Sequence, residues 1–186
     1  MNTSNHVASP CYRTWWQAEN GQENVTIQLD LEAEFHVTHL IITFKTFRPA
    51  AMYVERSYDW GETWKIYRYF AAECEKTYPA GPDGTPIKVG VPSSLDEIVC
   101  MPRYSRVTPS TLGTVIYRVL PPNINIHSAS FNPYSREVQD LLKTTNLRIH
   151  LQNLHTMGDE NLETDRADIK EKYYFSIYDM TVRGSW

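Results

Sequence analysis

The feature that most constrains the fold of this chain is an alternation of apolar and polar residues with a period of two. Residues 25–31 show it most clearly, with apolar positions at Val25, Ile27, Leu29 and Leu31. Side chains of a strand point alternately to opposite faces, so this pattern predicts a strand with one buried face. Similar alternation predicts strands at residues 39–47, 113–120, 147–151 and 173–182. The tight turn at residues 58–62 predicts that it joins two further strands, at residues 51–57 and 64–70. At least seven strands in 186 residues predict a single all-β sandwich domain.

The alternation fails in two places, which predict a β-bulge and one short helix. The phase slips between residues 177 and 180, as it does where a bulge inserts an extra residue. Asn132 can cap a helix that has Pro133 at its first position, and Asn146 can end it. The buried face of that helix would consist of Val138, Leu141, Leu142 and Thr145. A second helical turn is predicted at residues 165–172.

Composition and charge exclude several classes of protein. The formal net charge is −4 and no basic patch dominates, which argues against nucleic-acid binding. No run of eighteen apolar residues occurs, so no membrane-spanning helix is predicted. Residues 1–6 are polar and cannot form the apolar core of a signal peptide. We therefore expect either a signal farther upstream or a protein that is not secreted.

Three cysteines leave one without a partner. Cys74 and Cys100 bracket a stretch rich in Pro and Gly, and a disulfide between them would remove roughly 3 kcal/mol of unfolded-state freedom. The alternative is a pair of reduced thiols. If the disulfide forms, Cys11 is unpaired or bonds to a cysteine outside this sequence.

Two N-x-S/T motifs could accept N-linked sugar, one at Asn2 and one at Asn24. The motif at Asn24 follows the turn-forming pair at residues 20–21 and opens a predicted strand. That position would keep a bulky sugar in water, so Asn24 is the stronger candidate.

Residues 57–64 match the pattern S-x-D-x-G-x-T-W, which resembles the Asp-box of sialidase propellers. Asp59 can accept backbone N–H bonds across the turn, while Gly61 relieves strain. The pattern occurs once in a chain too short for a propeller, so it predicts a structural hairpin. Trp60, if exposed, could stack on a sugar, which keeps a carbohydrate-binding module as an alternative.

No arrangement of residues predicts catalysis. The chain has no G-x-S-x-G motif and no P-loop. His36 and His39 are three apart on a predicted strand and should point to opposite faces, which disfavours a shared metal. We therefore expect a domain that is not an enzyme.

The segment F-R-P-A-A-M is the strongest candidate for an interface. It consists of Phe47, Arg48, Pro49, Ala50, Ala51 and Met52 and lies between two predicted strands. Loops carry many binding residues, and Arg and Met are enriched at interfaces. The alternative is a strand crossover that packs on its own core.

Several long motifs resemble the laminin N-terminal domain. They include W-W-Q-A-E-N-G at residues 15–21, T-F-K-T-F-R-P-A-A-M at 43–52, T-T-N-L-R-I at 144–149 and Y-D-M-T-V-R-G at 178–184. The F-R-P-A-A-M segment resembles beta chains of that family more than alpha, gamma or netrin relatives. The match begins near residue 13, so residues 13–186 would form the domain, preceded by a divergent or truncated segment at 1–12.

The resemblance implies a jelly-roll β-sandwich of the galactose-binding-like type in a secreted glycoprotein. It implies that Cys74 and Cys100 are paired and that Asn24 carries sugar. The implied function is polymerisation, in which alpha, beta and gamma N-terminal domains meet in a ternary node of the basement membrane and support cell adhesion. Other basement-membrane components would be further partners. A netrin-like guidance ligand is the closest alternative within the resemblance.

The resemblance also implies a bound Ca²⁺. Related domains hold the ion with an Asp and a Thr ahead of the W-Q-x-E-N motif and with a backbone oxygen near the domain end. Thr14 occupies the Thr position and Tyr178 is near the final one. The first Asp of this chain is Asp30, so the usual carboxylate is missing.

Overall fold

Strands dominate the computed structural model, which describes residues 14–121, 123, 131–159 and 166–185. The strands are β1 Trp16–Gln17, β2 Asn24–Phe44, β3 Ala51–Ser57, β4 Lys65–Ala71, β5 Lys88–Val89, β6 Val99–Met101, β7 Thr114–Arg118, β8 Lys143–Gln152 and β9 Ser176–Ser185. The helices are α1 Cys74–Thr77, α2 Arg136–Leu142 and α3 Arg166–Lys170, with a 3-10 turn at Pro102–Tyr104. Helix α2 and the short helix α3 lie in the two segments predicted to be helical, whereas α1 is an additional four-residue helix without a periodic signal.

The long strand β2 belongs to both layers of the sandwich. Its first half pairs with β8, which continues through β3 and β4 to β6 and β5. Its second half pairs with β7 on one side and β9 on the other, and β1 pairs with β9. The pairing register with β8 shifts between Asp30 and Phe35, where Glu32 has a φ of 61°. This irregularity lets one strand pass from one layer to the other.

The core lies between these two layers. From β2, β7 and β9 it receives Leu40, Ile42, Phe44, Val115, Tyr117 and Ile177, and from β3, β4 and β8 it receives Met52, Val54, Phe70, Leu147, Ile149 and Leu151. Tyr117 of β7 contacts rings of β4, a strand with which β7 does not pair, because the Tyr67 and Phe70 ring centroids lie 5.4 and 6.4 Å away. The two layers therefore pack face to face, and the prediction of an all-β sandwich is confirmed.

Helix α2 begins later than its sequence pattern predicts. Ser135 is the capping residue, and its side chain accepts a hydrogen bond from the Val138 backbone N–H at 3.4 Å. Asn132 instead organises the preceding turn by accepting from the Tyr134 backbone N–H at 2.9 Å. The predicted stop at Asn146 is also wrong, because the helix ends at Leu142 and residue 146 lies inside β8.

Most strand predictions are confirmed, although two merge into one. Residues 51–57 form β3 with the predicted bounds, whereas the strands predicted at 25–31 and 39–47 are parts of β2. The predicted bulge falls at Tyr178, because Thr43 pairs with Asp179 while the next residue of β2 pairs with Ile177. The helical turn predicted within 165–172 is α3.

A second, smaller core lies on the outer side of β3 and β4. Tyr69 is its centre, and the irregular segment between α1 and β6 covers it. Cys74 and Cys100 close this segment with a disulfide whose Cα atoms are 5.8 Å apart. The rings of Tyr53 and Tyr78 pack on Tyr69 with centroid distances of 5.6 and 4.5 Å. The disulfide thus fastens a loop across an aromatic surface.

Candidate functional site

The F-R-P-A-A-M segment is mostly inside the protein. Arg48, Pro49, Ala51 and Met52 are buried, whereas Phe47 and Ala50 are half-buried. The segment is thus a crossover that packs on its own core, which was the alternative interpretation of the sequence. A buried side chain cannot reach a partner without rearrangement. Of the six residues predicted to form an interface, only Phe47 and Ala50 are therefore accessible for direct contact. Whether the segment takes part in partner binding stays a prediction.

Arg48 stays charged although it is 7% exposed. Its Nη2 donates to the Thr108 carbonyl at 2.6 Å and its Nη1 to the Thr114 carbonyl at 3.4 Å. Burial lowers the pKa of the guanidinium from its ordinary value, while the Tyr104 ring partly offsets that shift. A Cβ at position 113 would meet the Arg48 stem at 3.0 Å, so Gly113 makes room for it. Arg48 therefore ties β7 to the crossover.

The outer side of the first layer carries a connected polar network. We call it the network face, and it consists of Gln28, Tyr53, Glu55, Trp64, Arg148 and His150. The Nε2 of His150 lies 2.7 Å from the Glu55 carboxylate, and its Nδ1 lies 2.9 Å from the Thr26 hydroxyl. Its ring stacks on the Tyr53 ring, with the two ring centroids 4.1 Å apart. Every polar edge of His150 thus has a partner within the domain.

Arg148 completes the network face on the other side of Glu55. Its Nη1 is 3.8 Å from the Glu55 carboxylate, and its Nε donates to the Gln28 side chain at 2.8 Å. The guanidinium also lies 3.7 Å from the centre of the Trp64 ring, a cation–π contact. The charged groups of the network face therefore pair with one another inside the domain.

The outer side of the second layer is different in kind. Arg118 of β7, His39 of β2 and Arg183 of β9 stand side by side, because His39 pairs with both arginines. We call these three residues the cationic row. Burial lowers the pKa of His39, and the positive charges of Arg118 and Arg183 lower it further. Among the ion pairs of the described residues, no carboxylate neutralises either arginine.

The hairpin between β3 and β4 is structural, as its pattern predicts. The Asp59 carboxylate accepts hydrogen bonds from the Ser57 hydroxyl at 2.6 Å and from the Thr63 backbone N–H at 2.9 Å. These bonds lower the pKa of Asp59 to about 2. Gly61 has a φ of +92°, a conformation that favours glycine, and Trp60 at the tip is 63% exposed.

The two predicted calcium ligands lie in one cleft. Thr14 and Tyr178 both line it, together with Trp15 and Trp16 at its rim and Asp179. Asp179, which sequence reasoning overlooked because it follows Tyr178 rather than preceding the W-Q-x-E-N motif, is also a lining residue, and its carboxylate accepts a hydrogen bond from the Thr181 hydroxyl at 3.1 Å. Among the described residues, no group of three or more His, Cys, Asp or Glu is placed to hold a metal ion.

Of the two predicted sugar acceptors, the structure describes only Asn24. Asn24 is exposed at the first residue of β2, on the same outer side as Thr26. Asn2 and Cys11 fall outside the residues that the structure describes.

No helix in the described part of the chain has the length and apolar character needed to cross a bilayer.

A cleft of about 790 Å³ was not predicted. It lies between the β3–β4 hairpin, helix α2 and the segment closed by the disulfide, and Trp64, Leu95, Glu137 and Asp140 are among its lining residues. Neither the cleft nor the cationic row could be predicted, because each is formed by elements that are distant in sequence and adjacent only in the fold. Alternation places His39 on an outer face, but it carries no signal for the strands that flank it.

Comparisons with known proteins agree on one family. Residues 2–184 match the family described as laminin N-terminal (Domain VI). Laminin subunit beta-1 of Drosophila melanogaster is 57% identical over 175 residues, which cover 92% of this chain and 9% of that protein. Netrin-4 of Mus musculus is 42% identical over 177 residues, covering 93% of this chain and 25% of the relative. The chain thus spans about a tenth of the length of the laminin relative.

One solved structure that matches this chain is chitosan-binding module 1 of a chitosanase/glucanase from Paenibacillus sp. IK-5. Its TM-score is 0.45 at 11% identity, with 92% of this chain and 76% of that chain covered. That likeness is too distant to carry a binding property to this chain. The family match and the 57% identity to a laminin beta subunit do identify the family, and they confirm the resemblance seen in the motifs. This chain belongs to the laminin N-terminal family.

Proposed function

We propose that this domain joins extracellular network nodes by binding the N-terminal domains of laminin alpha and gamma chains. The observation that carries the proposal is the 57% identity to laminin beta-1 over 92% of the chain. The domain offers two differently built outer faces, as a ternary contact needs. Each contact can be weak, because many arms of a lattice act together. The domain is not an enzyme.

The direct test is reconstitution of the ternary complex. The purified chain is mixed with laminin alpha and gamma N-terminal domains in buffered CaCl₂, and species are resolved by sedimentation velocity. We expect a complex that contains all three domains and that weakens when either partner is omitted. If no combination of the three associates, the proposal is wrong.

We further propose that the chain is exported and acts in the basement membrane, where it supports cell adhesion. The exposed Asn24 sequon and the Cys74–Cys100 disulfide support an oxidising, extracellular location. Expression in a secreting cell line should give a product that loses mass with peptide N-glycosidase. The variant Asn2→Gln should keep that shift and Asn2→Gln/Asn24→Gln should lack it, and an Asn2→Gln product insensitive to the glycosidase would contradict glycosylation at Asn24.

A bound Ca²⁺ is a further proposal, and the donor chemistry fits the ion. The Thr14 hydroxyl, a carbonyl oxygen near Tyr178 and the Asp179 carboxylate would hold it, since Ca²⁺ takes oxygen ligands. The ion would tie the segment before β1 to the bulge of β9. Isothermal titration with CaCl₂ should show one site in the native chain and a weaker one in Asp179→Asn. Equal affinity in the two proteins would remove Asp179 from the site.

A netrin-like guidance ligand is the second candidate, favoured by the 42% identity to netrin-4. It would bind a cell-surface receptor, and surface plasmon resonance against a netrin receptor ectodomain tests it. The carbohydrate-binding alternative stays a prediction that depends on the exposed Trp60. A glycan array with the native chain and Trp60→Ala decides it.

A further inference from the structure

We infer that the outer side of the β7–β2–β9 layer docks a carboxylate-bearing protein surface of a partner N-terminal domain, with the cationic row as its charged edge. This inference rests on the proposed function and deepens it by naming the face that one partner contacts. Three observations carry it: the register of the three strands, the absence of a neutralising carboxylate among the described residues, and an apolar strip beside the charges.

The register places nine side chains in three parallel rows. The first is the cationic row itself, Arg118–His39–Arg183, the second is Ile116–Ile41–Thr181, and the third is Thr114–Thr43–Asp179. Their neighbours along β2, Leu40, Ile42 and Phe44, are buried, so these nine point outward. Adjacent strands are about 4.8 Å apart, so each row spans about 10 Å.

The positive charge of the cationic row is not neutralised by the described part of the chain. Arg118 and Arg183 are both exposed, and no described carboxylate pairs with them. The only carboxylate of the three rows, Asp179, is four residues from Arg183 along β9, about 13 Å away, and accepts from the Thr181 hydroxyl. Two exposed arginines on either side of His39, in a chain of net charge −4, form a local positive potential.

The second row decides between an acidic protein and a sulfated polysaccharide. Ile116 is 45% exposed and lies beside the half-buried Ile41. An apolar strip next to exposed arginines is the anatomy of a protein interface, with an apolar centre and a charged rim. A polysaccharide would gain little from the strip. Arginine also holds carboxylates with two parallel hydrogen bonds.

The test reverses the charge of the cationic row. The variant Arg118→Glu/Arg183→Glu is compared with the native chain and with Arg103→Glu/Arg106→Glu, which makes the same change at two other exposed arginines. Circular dichroism and thermal unfolding check that all three are folded. Affinity for alpha and gamma domains is then measured separately by biolayer interferometry at several salt concentrations. We expect at least about a tenfold loss for one of the two partners in the first variant, with a weaker salt dependence, and no such loss in the control.

A second variant tests the same face without charge reversal. The pair His39→Asn and Ile41→Thr creates a sugar acceptor in the centre of the three rows, and the chain is produced in glycosylating cells. The attached glycan should block the same partner as the charge reversal does, and its enzymatic removal should restore part of the binding.

The outcomes separate the inference from the proposed function. Absence of any native complex overturns the proposed function and the inference together. A native complex that both variants form with unchanged affinity overturns the inference alone. Binding of the native chain and the charge-reversal variant to immobilised heparin is measured in parallel. If the variant loses heparin binding while its complex is unchanged, the cationic row binds a polysaccharide and the inference is overturned.

Discussion

The two outer faces of this sandwich use charged residues in opposite ways. On the network face, Glu55 lies between His150 and Arg148, and each basic group has a further partner. On the other face, the arginines of the cationic row flank a histidine and meet no described carboxylate. Both faces are polar sheet surfaces built in part from the same strand, β2.

This difference between the two faces indicates whether their charges contribute to folding or to binding. Paired charges in a partly buried network contribute to the folded state, because removal of one leaves the others without partners. Unpaired exposed charges contribute little to folding and remain free for another molecule. The contrast predicts that the network face matters for stability and that the cationic row matters for binding.

The largest effect should come from opening the loop that covers part of the first layer. Replacing both cysteines, Cys74→Ser/Cys100→Ser, removes a link between residues 26 apart and should lower the free energy of unfolding by roughly 3 kcal/mol. Urea denaturation measures this change. Hydrogen exchange should increase in β4 and β6 while β7 stays protected. An equal loss of protection in β4, β6 and β7 would show that the disulfide does not stabilise the first layer in particular.

A smaller effect is expected from Gly184→Ala at the end of β9. A Cβ there would clash with the His36 carbonyl oxygen, a backbone atom that cannot rotate away. The strands must separate locally, which should cost about 2 kcal/mol. Thermal unfolding measures the loss, and Ser185→Ala is the matched neighbour, with an expected change within about 0.5 kcal/mol. Equal stability of both variants would show that this edge is not closely packed.

The network face should lose about 1–2 kcal/mol when Glu55 becomes Ala. The carboxylate is largely enclosed, and its loss leaves the Nε2 of His150 without its 2.7 Å partner. Glu34→Ala is the control, because Glu34 also forms a short ion pair, 2.8 Å from Lys143, but is about half exposed. Its loss should change stability by less than about 0.5 kcal/mol. Similar losses for the two variants would remove the distinction between enclosed and exposed pairs.

The smallest effect on folding should come from the cationic row. Arg118→Ala should change the free energy of unfolding by no more than about 0.5 kcal/mol. It should nevertheless raise the pKa of His39, because one of the two charges that lower it is gone. In the native chain, stability falls as the pH drops below the ordinary pKa of histidine, since the unfolded state binds this proton more readily. NMR titration of His39 measures the shift, and an unchanged pKa would show that Arg118 does not act on it.

The strands could be predicted because each carries its own signal. Residues 51–57 lead into the tight turn at 58–62, and the phase slip before Met180 located the bulge at Tyr178. These features are local, so a single sequence reveals them. The start of α2 was missed because both Asn132 and Ser135 can cap a helix, and the sequence alone does not show that Ser135 is the residue that caps it.

The surfaces could not be predicted, because they depend on neighbours distant in sequence. The cationic row joins residues 39, 118 and 183, which only the strand register brings together. Burial of Arg48 likewise depends on the space that Gly113 leaves for it. A motif between strands therefore predicts a loop, but not whether that loop faces water.

The 21-residue strand β2 has a mechanical consequence. Tension applied along it would load its hydrogen bonds to β7, β8 and β9 in shear, all at once, rather than opening them one after another. Force arriving at one layer is passed to the other through a continuous backbone, not through side-chain packing. Stretching the domain along β2 would therefore load both of its sheets together without peeling them apart.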